Sequence, residues 1–109
     1  MHIGGMYKVY ATPDYQIAID RSQGEYRDRV RKLPANLRRT PFQGKPLGSK
    51  YLREKRVKGR RIYYIVYEEF KIVLLVGVSS KKDQSSEIDK IKRELQNLYD
   101  YVKSIRQDG

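Results

Sequence analysis

The chain has 109 residues, enough for one hydrophobic core and too few for two. It carries no cysteine and a single histidine, His2, which excludes disulfides and thiolate metal sites and argues against a zinc centre or a histidine acid–base pair. Its 24 Lys and Arg against 13 Asp and Glu leave a net charge of +11. That excess attracts a polyanion, because each phosphate contact releases condensed counterions.

No apolar run approaches the ~18–20 residues that span a bilayer, so no membrane association is expected. The longest, Ile72–Val78, is strand-sized and interrupted by Gly77. Met1–Gly5 lacks the basic and apolar segments of a secretory signal. It is expected to be flexible, and the protein cytoplasmic.

In chain order, Met6–Thr12 alternates and is rich in β-formers, which predicts a first strand. Thr12-Pro13-Asp14 reads as a helix entrance, with proline tolerated in the first turn. One or two helices should fill Asp14 to Leu37, with Ile17, Tyr26, Val30, Leu33 and Leu37 as the apolar stripe. Gly24 allows a break between them, and Pro34 is expected to end or kink the second. Thr40–Ser49, with two prolines and two glycines, reads as a loop.

The pattern then changes to period two. Tyr51–Val57 and Arg60–Tyr67 read as strands joined by Lys58-Gly59, a connection suited to a tight hairpin. After a turn at Glu68–Lys71, Ile72–Val78 is apolar enough to be a central strand covered on both faces. Ser79–Asp83 reads as a polar loop. Beyond it Ile88, Ile91, Leu95, Leu98, Val102 and Ile105 recur at spacings of three and four, an amphipathic helix of about twenty residues capped by Ser85 or Ser86. The fold class is thus α+β: one domain over residues 1–109, in the order βααβββα, with a mostly antiparallel four-stranded sheet packed by helices.

A two-residue turn at Lys58-Gly59 sets Val57 opposite Arg60, Arg56 opposite Arg61, and Glu54 opposite Tyr63. Leu52, Glu54, Arg56, Arg61, Tyr63 and Ile65 then share one face. Tyr51, Arg53, Lys55, Ile62, Tyr64 and Val66 share the other, with Arg53 and Lys55 reaching past the sheet edge. Two arginines directly opposite each other destabilise a bare hairpin, and make sense if an anion visits them. Arg56 and Arg61 would hold a phosphate while Glu54 takes the proton of an attacking ribose 2′-hydroxyl. Alternatively, Glu54 simply neutralises the two arginines on a solvated strand face. Lys81 and Lys82, before the last helix, should emerge near Arg61, where helix N–H groups add to anion binding. Ten tyrosines against two phenylalanines leave Tyr63 as a candidate platform for an unpaired base.

Gly44-Lys-Pro-Leu47, Lys58-Gly-Arg-Arg-Ile-Tyr-Tyr-Ile-Val-Tyr67 and Ile72-Val-Leu-Leu-Val76, in this order, resemble the RelE/ParE toxin superfamily. Val76-Gly through Ser79–Gln84, with a helix after it, is most similar to its HigB-like members. The resemblance implies the toxin of a type II toxin–antitoxin system, a ribosome-dependent mRNA endonuclease working by 2′-hydroxyl attack without metal or other cofactor. Its expected partners are mRNA, the ribosome and a cognate antitoxin, acidic and helical to suit a +11 surface. ParE-type members poison DNA gyrase instead, so that activity, or that of an inactive nucleic-acid-binding relative, stands as the alternative.

Under the resemblance Arg61 matches the strand arginine that stabilises phosphate, Arg56 falls at a commonly basic position, and Lys82 takes the place of an arginine near the end of the sheet. Glu54 stands where RelE has a lysine, so its role as base comes from this sequence alone. Glu54, Arg61 and Lys82 form the catalytic expectation. Arg53, Lys55, Arg56, Lys58, Arg60, Tyr63 and Lys81 form the expected RNA-binding set. RNA-cleaving relatives often carry a tyrosine, or a His-Tyr pair, after the last basic residue. Asp83–Ile88 has no aromatic, which leaves the proton donor unassigned.

Overall fold

The computed structural model describes residues 6–108; the expectations for Met1–Gly5 and His2 fall outside them. The elements are β1 (Lys8–Ala11), α1 (Pro13–Asp20), α2 (Gly24–Arg39), β2 (Lys45–Pro46), β3 (Leu52–Val57), β4 (Arg60–Tyr67), β5 (Ile72–Ser79), α3 (Gln84–Arg93) and α4 (Leu95–Asp108). Among the described residues the strands form one five-stranded sheet in the order β1-β5-β4-β3-β2. β1 runs parallel to β5, and every other pairing is antiparallel. The α+β class and mostly antiparallel sheet agree with the sequence reading. The fifth strand does not: Lys45–Pro46, read as loop, pairs with Glu54 and Arg53. A two-residue edge strand leaves no periodicity to detect.

Helices cover both faces. Tyr15 and Ile19 of α1 and Val30, Leu33 and Leu37 of α2 pack on Ile62, Tyr64, Val66, Val73 and Leu75. The opposite layer joins Ile91 and Val102, from α3 and α4, to Leu52, Tyr63, Ile65, Ile72, Leu74 and Val76. β5 is therefore central and covered on both sides, as its composition predicts.

Thr12 caps α1, its Oγ1 accepting from the Tyr15 amide at 3.2 Å. Starting there, the helix turns Tyr15 and Ile19 inward and leaves Ile17, expected in the apolar stripe, exposed. α2 opens at Gly24, whose φ of +66° suits a residue without a Cβ, and runs through Pro34 to Arg39. Pro34 does not end it. The long last helix is also corrected: it breaks at Glu94, whose amide bonds to Ile91 three residues back. Its N-cap is Asp83, while Ser85 and Ser86 lie inside the first turn.

Candidate functional site

The β3–β4 hairpin has the register its turn dictates. Lys58 (φ 51°) and Gly59 (φ 79°) are both left-handed, the primed turn that matches strand twist. Val57 faces Arg60, Arg56 faces Arg61, and Glu54 faces Tyr63.

On β5 the register slips. Tyr63 pairs with Gly77 and Tyr64 with Leu75, so Val76 is the extra residue of a bulge. The slip reverses the alternation: Val78 turns to the α1–α2 face and Ser79 to the α3–α4 face, where its Oγ lies 2.8 Å from the Tyr63 hydroxyl. Two rows thus cross the sheet beneath α3. One is Glu54–Tyr63–Gly77, the other Arg56–Arg61–Ser79, and the loop carrying Lys81 and Lys82 leaves directly from the second.

Glu54 is only 3% exposed and Arg61 4%. Arg61 Nε stands 3.3 Å from Glu54 Oε1, close enough for an ion pair but not aligned as a hydrogen bond. The same oxygen accepts a 2.7 Å hydrogen bond from Gln84 Nε2, at the start of α3. Both charges are therefore out of water, unlike a solvated strand face. An ion pair so placed must offset a desolvation penalty of several kcal/mol per ion, so it is weak evidence for a purely stabilising role.

α3 adds a second carboxylate. An added Cβ at Gly77 would collide with that of Glu87, so the glycine makes room for it. Burial raises the Glu87 pKa above its ordinary 4.5; Lys90 opposes the shift, and Glu94 and Asp14 reinforce it. These groups line a cavity of about 290 Å³ between the start of α1 and the α3–α4 break. Burial likewise raises the Tyr63 phenol, partly offset by its bond to Ser79.

The structure divides the predicted site residues into two groups. Glu54, Arg56, Arg61, Lys81 and Lys82 come together on or beside the α3 face, the last two and Arg56 exposed. Arg53, Lys55, Lys58 and Arg60 do not join them. Arg53 clamps the preceding loop, donating to the carbonyls of Lys50, Phe42 and Gly44 at 2.8, 3.1 and 2.7 Å. Lys58 pairs with Glu25 of α2 at 3.2 Å, and Arg60 lies 4.8 Å over the Tyr26 ring. Lys55, opposite Ile62, belongs to the α1–α2 face. The platform role of Tyr63 is corrected: its ring is 0% exposed, sealed in the core with no face for a base.

Gln84, Ser79 and Glu87 were missed from sequence. Gln84 meets Glu54 across 30 residues, which no local spacing reveals. Gly77 inside an apolar strand was the available signal for the bulge. Gly44, in the loop motif, braces the site from below: its amide donates to the Tyr64 hydroxyl at 2.9 Å. A Cβ there would lie 2.6 Å from the Glu54 carbonyl oxygen. Among the described residues no group of three or more His, Cys, Asp or Glu is placed to hold a metal ion, and no helix is long and apolar enough to cross a membrane.

A mixed sheet with β1 parallel to β5, helices on both faces and the arginine hairpin β3–β4 within it defines a RelE-like fold. The solved structures it resembles include toxins and toxin–antitoxin complexes. The E. coli toxin RelE in the free state, carrying two arginine-to-alanine changes, superposes with a TM-score of 0.67 at 17% identity, covering 81% of this chain and 97% of that one. A chain of the RelBE2 toxin–antitoxin complex from Mycobacterium tuberculosis gives 0.62 at 20% identity, over 74% and 98%. One from the archaeal RelE–RelB complex of Pyrococcus horikoshii OT3 gives 0.59 at 15%, over 70% and 96%. At these identities the likeness concerns the fold. No family model and no curated protein matches the sequence.

Proposed function

We propose that residues 1–109 form a single toxin domain of a type II toxin–antitoxin system, a cytoplasmic, ribosome-dependent mRNA endonuclease. The observation that carries this reading is the Arg56–Arg61–Ser79 row, with Glu54 in the next row and Lys81-Lys82 at its end. Buried Arg61 with exposed Arg56 opposite it, and two lysines where the row ends, beside a carboxylate, suit a phosphodiester that must gain negative charge in its transition state. Glu54 accepts the ribose 2′-hydroxyl proton as the 2′-oxygen attacks phosphorus. The bond from phosphorus to the 5′-oxygen breaks, leaving a 2′,3′-cyclic phosphate and a 5′-hydroxyl. Arg61 and Arg56 hold the non-bridging oxygens, and Lys82 supplies the proton to the departing oxygen. Lys81 binds the neighbouring phosphate. An acidic, helical antitoxin is the partner that a +11 surface fits, and neither metal nor other cofactor enters these steps.

The test is cell-free translation of a defined mRNA with 5′ ends mapped by primer extension. Arg56 is exposed, so Arg56→Ala should fold normally. Codon-phased, ribosome-dependent cuts are expected from the wild type, falling roughly 10- to 100-fold in Arg56→Ala with loss of a charged phosphate contact. Products ending in 3′-hydroxyls would overturn the chemistry.

One observation favours a second reading, a gyrase poison that does not cut RNA: Glu54 and Arg61 are paired with each other out of solvent, and Tyr63 offers no base platform. Intact mRNA together with inhibited supercoiling would select it.

A further inference from the structure

The working pair is shut in. Glu54 and Arg61 are 3% and 4% exposed, and the side chain across Glu54 is Gln84, the first residue of α3. In this arrangement the Glu54 carboxylate and Arg61 Nε offer a phosphodiester almost no surface, so neither is free to engage one. Arg61 Nε is already in an incomplete state, buried without an aligned acceptor. That is the donor an incoming anion would satisfy.

The first turn of α3 puts no apolar side chain on the sheet, unlike the helical segments after it. Its N-cap, Asp83, makes no side-chain capping bond. Ser85 and Ser86 are exposed, and the first apolar anchors come only at Ile88 and Ile91. Before them the contacts to the sheet are polar: Gln84 on Glu54 and Glu87 over Gly77. Downstream, α4 is pinned by fully buried Val102 and by Tyr99 against Tyr67 and Phe70. The helix is interrupted between them at Glu94. A segment with few apolar anchors is the low-stability end of a fold.

We propose that the start of α3 is a lid over the Glu54–Arg61 pair, with Gln84 as its latch, and that an RNA phosphodiester reaches Arg61 only when Gln84 leaves Glu54. The inference rests on the reading of this pair as the working site. It makes Gln84 a residue that controls access and takes no part in the chemistry.

Accessibility of Arg61 tests the lid without any appeal to cleavage. The intact protein is treated with phenylglyoxal, which modifies exposed guanidinium groups, and each arginine's rate is followed by mass spectrometry. In the wild type, Arg61 should react far more slowly than exposed Arg56. Gln84→Ala should accelerate Arg61 roughly 10-fold or more, with Arg56 unchanged, because a hydrogen bond to a charged group is lost. Gln84→Glu, which sets two carboxylates against each other, should accelerate it at least as much. A circular dichroism spectrum unchanged from the wild type in both variants separates lid opening from unfolding. Arg61 remaining as slow in both variants as in the wild type overturns the lid. A short single-stranded RNA should then protect Arg61 in Gln84→Ala. Fast modification of Arg61 in Gln84→Ala, with mRNA left intact by the wild type in cell-free translation, keeps the lid and removes the nuclease reading.

Discussion

The two faces of the sheet are built from the same three long strands and differ in what they bury. Under α1 and α2 the layer is apolar, and its tyrosines present rings to the core. Under α3 and α4 the half nearest α4 is equally apolar, but the half beneath the start of α3 buries a carboxylate, a guanidinium and Ser79. Burying a charge costs several kcal/mol, so a leucine pair there would serve stability at least as well. The contrast separates the scaffold face from the proposed working face.

The largest effects should come from exposing that difference. On the scaffold face, Leu37→Ala should cost about 2–5 kcal/mol through the cavity it leaves. Arg61→Ala should cost a comparable 3–5 kcal/mol, because it strands Glu54 as an unpaired buried charge. The two losses differ in their rescue. The pair Glu54→Leu with Arg61→Met should restore stability to wild type or above, by about 1–4 kcal/mol relative to the wild type at best, whereas no second change nearby should repair Leu37→Ala so fully. Urea midpoints for the four proteins decide this.

Paired tyrosines sharpen the comparison at a smaller scale. Tyr64→Phe leaves the buried Gly44 amide without its 2.9 Å acceptor and should cost about 1–3 kcal/mol. Tyr63→Phe removes a hydroxyl–hydroxyl contact with Ser79 and should cost about 1 kcal/mol. If Tyr63→Phe proved the more damaging, the polar row would be holding the sheet together and the division between faces would fail. Thr12→Ala, which removes the α1 cap on the scaffold side, should cost about 1 kcal/mol in thermal unfolding and leave any RNA activity intact.

The smallest effect is a slope. Burial raises the Glu87 pKa in the folded chain above its ordinary 4.5, so the folded state takes up this proton first as pH falls. The resulting penalty on the folded state is absent below the unfolded pKa and complete above the folded one. The stability of the wild type relative to Glu87→Gln should therefore decline as pH rises through that window and stay level beyond it. A difference between the two urea midpoints that does not change from pH 4 to 7 would show that Glu87 is not desolvated by the sheet.

Much of the scaffold was legible because its signals are local. Lys58-Gly59 set the hairpin register, and with it the facing of Glu54, Arg56 and Arg61, from turn geometry alone. Thr12-Pro13 marked the start of α1, and the composition of Ile72–Val78 marked a central strand. The working face was legible only in part because it depends on tertiary placement. Strict alternation along β5 would turn Val78 toward the site; the bulge at Val76 brings Ser79 there instead. Tyr63 looked like an exposed ring because neither the depth of its face nor the helix above it is written in the period of β4. The break at Glu94 is hidden by an apolar spacing that continues across it, and leaves Leu95 exposed where a continuous stripe would bury it. Arg53 and Arg60 carry charge like Arg61, and only their partners, loop carbonyls and the Tyr26 ring, show that they are tied to the scaffold.

The central claim is that the buried Glu54–Arg61 pair serves chemistry and not the fold. The direct test is the Glu54→Leu, Arg61→Met double variant in cell-free translation, at a concentration where the wild type cuts mRNA. The account predicts a protein at least as stable as the wild type that leaves the message intact. A stable double variant that still produces codon-phased cuts would contradict it, and would reduce the pair to a clamp between strands.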